Sequence, residues 1–322
     1  MADLPTPRQR LFARFAWGLL AYEILVVAWG AYVRASGSGA GCGRHWPTCN
    51  GEIVPRAPRI ETLVEYSHRL TSGLALAGTV ALVVLAVRAY PRGHRVRGGA
   101  WTTLALMFAE ALIGAGLVLF EKVAHDASMT RALSMSLHLM NTFFLLAATA
   151  LTAWWASGGR AVILRGQRGV LAALAAPTAL MLLVGASGAV TALGDTLFPA
   201  KSLTAGLAAD FDPHAHLFVR LRAIHPMLAV TTAATIVVVM GMVRALRPTR
   251  SVRVTTRLAA GLAVTQVAAG LLDVLTRAPV AIQLVHLVIA DLVWIGLVLA
   301  SASALAAPSA APAPSAVPAP EG

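Results

Sequence analysis

The sequence predicts an all-α integral membrane protein: eight transmembrane helices in two tandem four-helix bundles related by pseudo-twofold symmetry. Three observations predict it. The 322 residues have a mean hydropathy of +0.72, with 57% hydrophobic and only 12% charged side chains. Eight apolar stretches each reach the ~20 residues that a helix needs to cross ~30 Å of hydrocarbon. A shift of about 157 residues also brings the two halves of the chain into weak register, the mark of a tandem duplication.

The spans fall at 14–34, 64–87, 101–120, 132–155, 169–192, 218–243, 258–275 and 281–304. Lipid offers no partners for open backbone groups, so Leu-, Val- and Ala-rich segments of this length are helices. The first span contains Glu23 and is longer than the apolar core of a cleaved signal peptide. The second opens on Glu65-Tyr66-Ser67-His68-Arg69, the third holds Glu110, and the fourth has His138 near its start. The sixth starts around His225-Pro226, the short seventh ends near Asp273, and the eighth carries His286 and Asp291. Residues 1–13 then form an N-terminal segment, 14–155 a first bundle, 156–168 a linker and 169–304 a second bundle. Residues 305–322 are an Ala/Pro-rich tail that cannot bury a core and is predicted to be disordered.

Charge sets the orientation. Arg8, Arg10 and Arg14 precede or open the first span, and three short connections carry the arginines between 88 and 97, 160 and 168, and 244 and 257. All lie on one side of an eight-span chain, while the other side mixes bases with acids over longer loops. The positive-inside rule therefore places both termini in the cytoplasm of a multi-pass cell-membrane protein. The formal charge of +12 follows from this asymmetry. No aromatic-rich basic domain points to a nucleic-acid partner.

The internal register sets Val33, Ala35 and Gly37 on Val190, Ala192 and Gly194, and His68 on His225. Glu110 falls within a residue of Gln266, and His138 matches His286 at an offset of 148. Even-numbered spans run in one direction, so these four histidines lie at similar depth near one membrane face, the extracytoplasmic one under the charge rule. Neutral imidazoles at matched depth on facing helices are what axial ligation of haem iron requires. Each copy supplies one pair, which predicts two pockets. Glu65 lies at i−3 from His68 on the same helix face, with Arg69 beside it to balance charge or meet a haem propionate. At the matching position before His225 stands Arg222. An acid beside one ligand and a base beside the other suggest one reactive pocket and one that holds a cofactor.

Cys42 and Cys49, the only cysteines, lie in the first extracytoplasmic loop, where oxidising conditions favour a disulfide. A metal site using Cys42, His45 and Cys49 is the weaker alternative, because it lacks an evident fourth ligand. The mid-span acids Glu23, Glu110 and Asp291 are expected to be protonated or paired, more through interhelical hydrogen bonds than as a proton path. His45, His94, His125, His214 and His216 fall in loops, and the run from Asp212 to His216 reads as an exposed polar loop before a metal site.

The string from Gly30 to Gly39 (GAYVRASGSG), with Cys42 and Trp46-Pro47-Thr48-Cys49-Asn50-Gly51, resembles the haem A synthase family. So do Glu65-x-x-His68-Arg69, His138-Leu139-x-Asn141-Thr142, His225-Pro226 and His286, and the resemblance runs through all eight spans. It implies an oxidoreductase acting on CH groups, which turns the C8 methyl of haem O into the formyl of haem A for a terminal oxidase. It further implies substrate haem O between His68 and His138, resident haem b on His225 and His286, and an essential carboxylate at Glu65. Haem O synthase and the terminal oxidase assembly are the implied partners, besides membrane lipid; a homo-oligomer is left open. Some members carry a second cysteine pair in the corresponding loop of the second half, which this chain lacks. Glu110 stands where Gln is expected. If water supplies the oxygen, a cationic carbon develops at the ring edge, which Glu65 could stabilise or serve by taking a proton. Two rivals use the same histidines: a di-haem b, quinol-linked electron-transfer protein, and a haem transporter.

Overall fold

The computed structural model describes residues 5–306. It is all-helical: α1 (Pro7–Ala35), α2 (Ile60–Ala89), α3 (Arg95–Leu119), α4 (Met129–Ala156), α5 (Arg168–Leu197), α6 (Leu203–Asp210), α7 (Leu217–Leu221), α8 (Ile224–Leu246), α9 (Arg250–Leu275) and α10 (Val280–Ala304). Among the described residues, eight helical segments are long and apolar enough to cross a membrane, with α7 and α8 together making one of them. Lateral surfaces carry large apolar side chains in the open: Leu25, Leu74, Leu112 and Met227 are each more than 60% exposed. A water-soluble chain would bury such residues; a lipid-facing one has no reason to.

Several helices outrun their predicted spans. α1 starts at Pro7 instead of residue 14, because Thr6 accepts from the Gln9 amide while the Gln9 side chain accepts from the Thr6 amide. This reciprocal cap, with proline at the first helical position, fixes the start well before the hydrocarbon begins. Arg8, Arg10 and Arg14 therefore ride on the helix, and residues 7–13 belong to α1. α9 likewise starts at Arg250, capped by the Thr249 hydroxyl, and not at 258.

The sixth span is not continuous. The chain turns at Arg222–Ala223 between α7 and α8. Pro226 explains the break: its ring would collide with the carbonyl four residues back, at Arg222, so proline is accommodated in the first turn of a new helix. α6 was not foreseen either; Ser202 caps it through the Ala205 amide. The predicted disordered tail lies outside the described residues from 307 onward. Its first residues are held, since Leu305 accepts from the Ile163 amide and Ala306 bridges to Val162.

α1 packs on α2 and α4, and α3 on α2 and α4; α8 packs on α5 and α9, and α9 on α10. The two groups meet where α4 touches α5 and α10, and where α1 touches α10. The largest buried cluster fills this seam, with Leu20, Phe143, Leu146, Met181, Ile236, Met240 and Trp294. Trp294 stacks on Phe143 at 5.2 Å and donates to its carbonyl at 2.6 Å, which satisfies the indole within the core.

Candidate functional site

The four histidines each sit about two turns into α2, α4, α7–α8 or α10, at the end of the bundle that carries the cysteine loop. Their rings lie on glycines of the preceding long helix. A Cβ placed on Gly30 of α1 would stand 2.9 Å from His68 Cε1. One on Gly188 of α5 would stand 3.0 Å from His225 Cε1, and one on Gly270 of α9 3.0 Å from His286 Cε1. Gly114 of α3 faces His138 more loosely, at 3.8 Å from Nε2. Sequence reasoning missed these glycines, which pass for ordinary small residues of membrane helices. The repeat could have found them, since Gly30 and Gly188 keep nearly the same offset as His68 and His225.

His225 and His286 face each other with ring centroids 6.4 Å apart and planes at 80°. Two imidazoles on opposite sides of one metal, at ~2 Å per nitrogen, have centroids ~6 Å apart, so this donor pair fits a single haem iron. Ser187 Oγ lies 2.9 Å from His225 Nδ1 and Gln266 Nε2 3.1 Å from His286 Nε2. Nδ1 of His68, of His138 and of His286 are buried with no hydrogen-bond partner. Buried ring nitrogens left unmatched are costly in a packed helix bundle and suit a site completed by a ligand.

One turn before His68, the cysteine loop is docked onto α2. Cys42 and Cys49 form a disulfide and are fully buried, so the metal alternative for this loop is replaced by a covalent closure. Glu65, 3% exposed, accepts from the Cys42 amide at 2.8 Å and pairs with Arg69 at 2.5 Å. Arg69 also donates to the carbonyls of His45 and Thr48, at 2.6 and 2.5 Å. The Glu65–Arg69 pair thus clasps the disulfide loop from both ends, one turn from His68. Thr62 adds a hydroxyl bond to the Gly41 carbonyl at 2.8 Å.

The second half reverses the polarity. Arg222 pairs with Asp195 at 3.0 Å and Asp210 at 2.8 Å, so here the base comes from the segment bearing the histidine and the acids from α5 and α6. Arg34 joins the halves: it donates to the Ala192 carbonyl at 2.8 Å, to Thr196 at 2.7 Å and to Gln283 at 3.0 Å. Nothing in the reading of the sequence gave Arg34 a role beyond its place in the glycine-rich string.

Of the three mid-span acids, only Glu110 makes the expected interhelical hydrogen bonds, accepting from Asn141 at 2.6 Å and from Thr142. Glu23 and Asp291 do not. Their carboxylate oxygens are buried without a hydrogen-bond partner, and Thr149, facing Glu23, spends its hydroxyl on the Leu145 carbonyl. In the remote loop His216 caps α7 and stacks on Phe198 at 4.6 Å.

With this geometry in hand, residues 13–298 match the family described as cytochrome oxidase assembly protein. The chain belongs to that family. A Thermus thermophilus protein named protoheme IX farnesyltransferase is 50% identical over 305 residues, which cover 94% of this chain and 50% of that one. The chain thus spans about half the length of this relative. The heme A synthases of Alkalihalophilus pseudofirmus (39% over 97 residues) and Bacillus cereus (40% over 100) are similar over shorter stretches. These cover 30% and 31% of this chain, and 33% and 32% of theirs.

Proposed function

We propose that the chain is a haem A synthase that oxidises the C8 methyl of haem O to a formyl group in a pocket between His68 and His138. The observation that carries this reading is the buried Glu65–Arg69 pair one turn from His68, which has no counterpart of the same polarity at His225. The first oxidation adds water to the methyl carbon and releases two electrons and two protons, giving a hydroxymethyl. The second does the same and gives a gem-diol, which loses water to leave the formyl. Glu65 supplies a fixed negative charge close to a developing cationic carbon and a base for the attacking water. Arg69 holds Glu65 in place and ties the disulfide loop to α2. His225 and His286 would hold haem b, which when bound supplies one-electron transfer out of the first pocket toward a membrane electron acceptor.

The name of the Thermus relative fits this reading. Transfer of a farnesyl group to protohaem makes the farnesylated haem that the oxidation consumes. The match to the assembly family along 13–298 supports giving the shared half of that protein to oxidation and the other half to prenyl transfer. Arginine-rich connections support cytoplasmic termini, and a persistent disulfide supports haem sites toward the oxidising side.

Pigment extraction tests the assignment. Cells making this chain together with a haem O synthase should yield haem A on chromatography. Haem O alone, alongside a protein that carries two haems, would favour the electron-transfer reading. Haem O alone with one exchangeable haem would favour the transporter.

A further inference from the structure

In each half, the histidine of the last helix has one polar partner from the helix before it, and the two partners differ. Glu110 Oε1 lies 3.2 Å from His138 Nδ1. The separation is within ion-pair reach, although the contact is not aligned as a hydrogen bond. Asn141 and Thr142, on the same helix as His138, hold the two oxygens of Glu110 in that position. In the second half Gln266 takes the corresponding place, lies against Nε2 of His286 and leaves its Nδ1 without a partner. The first histidine thus has a carboxylate near Nδ1 and Nε2 facing Gly114; the second meets a neutral amide.

We propose that Glu110 is a positioning residue which sets His138 with its proton on Nδ1 and Nε2 free for iron, and that the Glu110/Gln266 difference directs electrons from the first pocket to the second. A carboxylate behind an imidazole fixes its tautomer and raises its donor strength. A stronger axial donor favours the oxidised metal, so iron bound by His138 has a lower reduction potential than iron bound by His286. Electrons taken from the substrate then run downhill to the second site. The inference rests on the two-pocket reading above. Each electron that leaves the first iron is taken up at the second and passed from there to the membrane electron acceptor of the proposed reaction, so the transfer adds no reactant.

Optical redox titration of the purified full chain in detergent, with haem b loaded in both pockets as probe, tests it. The unaltered protein should titrate as two components. Glu110→Gln should raise the lower one by at least 59 mV, a tenfold change in its reduced-to-oxidised ratio, and leave the upper one in place. Glu110→Asp should bring it part of the way back, which a merely structural role would not do. Gln266→Glu should lower the upper component, and it decides the matter if Glu110→Gln fails to hold haem. Unmoved components in Glu110→Gln at full haem content, or an unmoved upper component in Gln266→Glu, overturn the proposal. A single haem in the unaltered protein would instead overturn the two-pocket reading, and the proposal with it.

Discussion

Replacing the cradle glycines with alanine separates a built ligand site from four histidines that merely pack. At Gly30, Gly188 and Gly270 the added Cβ lands 2.9–3.0 Å from an imidazole carbon. Carbon atoms rest at about 3.5–4.0 Å, so the ring has to give by a few tenths of an ångström. Metal–ligand distances tolerate only about ±0.2 Å, so a retreat of that size detaches the ring from iron. The helices themselves should not suffer, because alanine is favoured over glycine in a helix interior by about 1 kcal/mol. Gly114 is the internal control: its Cβ would sit 3.8 Å from His138 Nε2, an ordinary contact. Absorption spectra of detergent-purified protein read the outcome. Gly188→Ala and Gly270→Ala should lose the low-spin signal of the resident haem, Gly30→Ala should lose binding in the first pocket, and Gly114→Ala should keep both. Full low-spin absorption in Gly188→Ala and Gly270→Ala would refute the idea that these rings are positioned for iron.

Two other expectations follow from the same contacts. Cys42 and Cys49 should resist thiol labelling in air-exposed membranes and react after reductant; labelling of both thiols without reductant would contradict the disulfide. Arg34→Ala removes three hydrogen bonds that tie α1 to α5 and α10. With hydrogen bonds to charged groups worth about 1.5–3 kcal/mol each, it should lower the thermal midpoint in detergent by several degrees. An unchanged midpoint would mean that the halves hold together without it.

Much of this was legible in the sequence because hydrocarbon imposes a length and a composition. Eight segments announced themselves by apolarity alone, and His68 and His225 stand at the 157-residue offset that brings the two halves into register. The helix ends were not legible in the same way. Apolarity marks where a chain crosses lipid, whereas α1 and α9 end where Thr6 and Thr249 cap them, in polar surroundings. The break before Pro226 is legible in the proline itself, whose ring cannot sit against a carbonyl four residues back inside a continuous helix. Within the site, types with an evident chemistry (His, Glu, Cys) stood out. Gly188 and Gly270 contribute by lacking a side chain, which no composition signal reports. Glu110 was visible as an oddity. Its meaning depended on Asn141, Thr142 and His138 converging on it across two helices.

The central claim is that the first pocket is reactive because of the buried charge on Glu65, and Glu65→Gln tests it most directly. Glutamine keeps a carbonyl oxygen to accept from the Cys42 amide, so the loop can stay docked. What disappears is the negative charge paired with Arg69, on the turn before His68. A proton-transfer group in a transition state contributes about 10²–10⁴ in rate. Haem content and pigment composition measured on the same preparation should therefore show haem retained on His225 and His286, haem O or its alcohol accumulated, and haem A absent. Haem A at the unaltered protein's yield would contradict the account and leave Glu65 as a clasp for the disulfide loop.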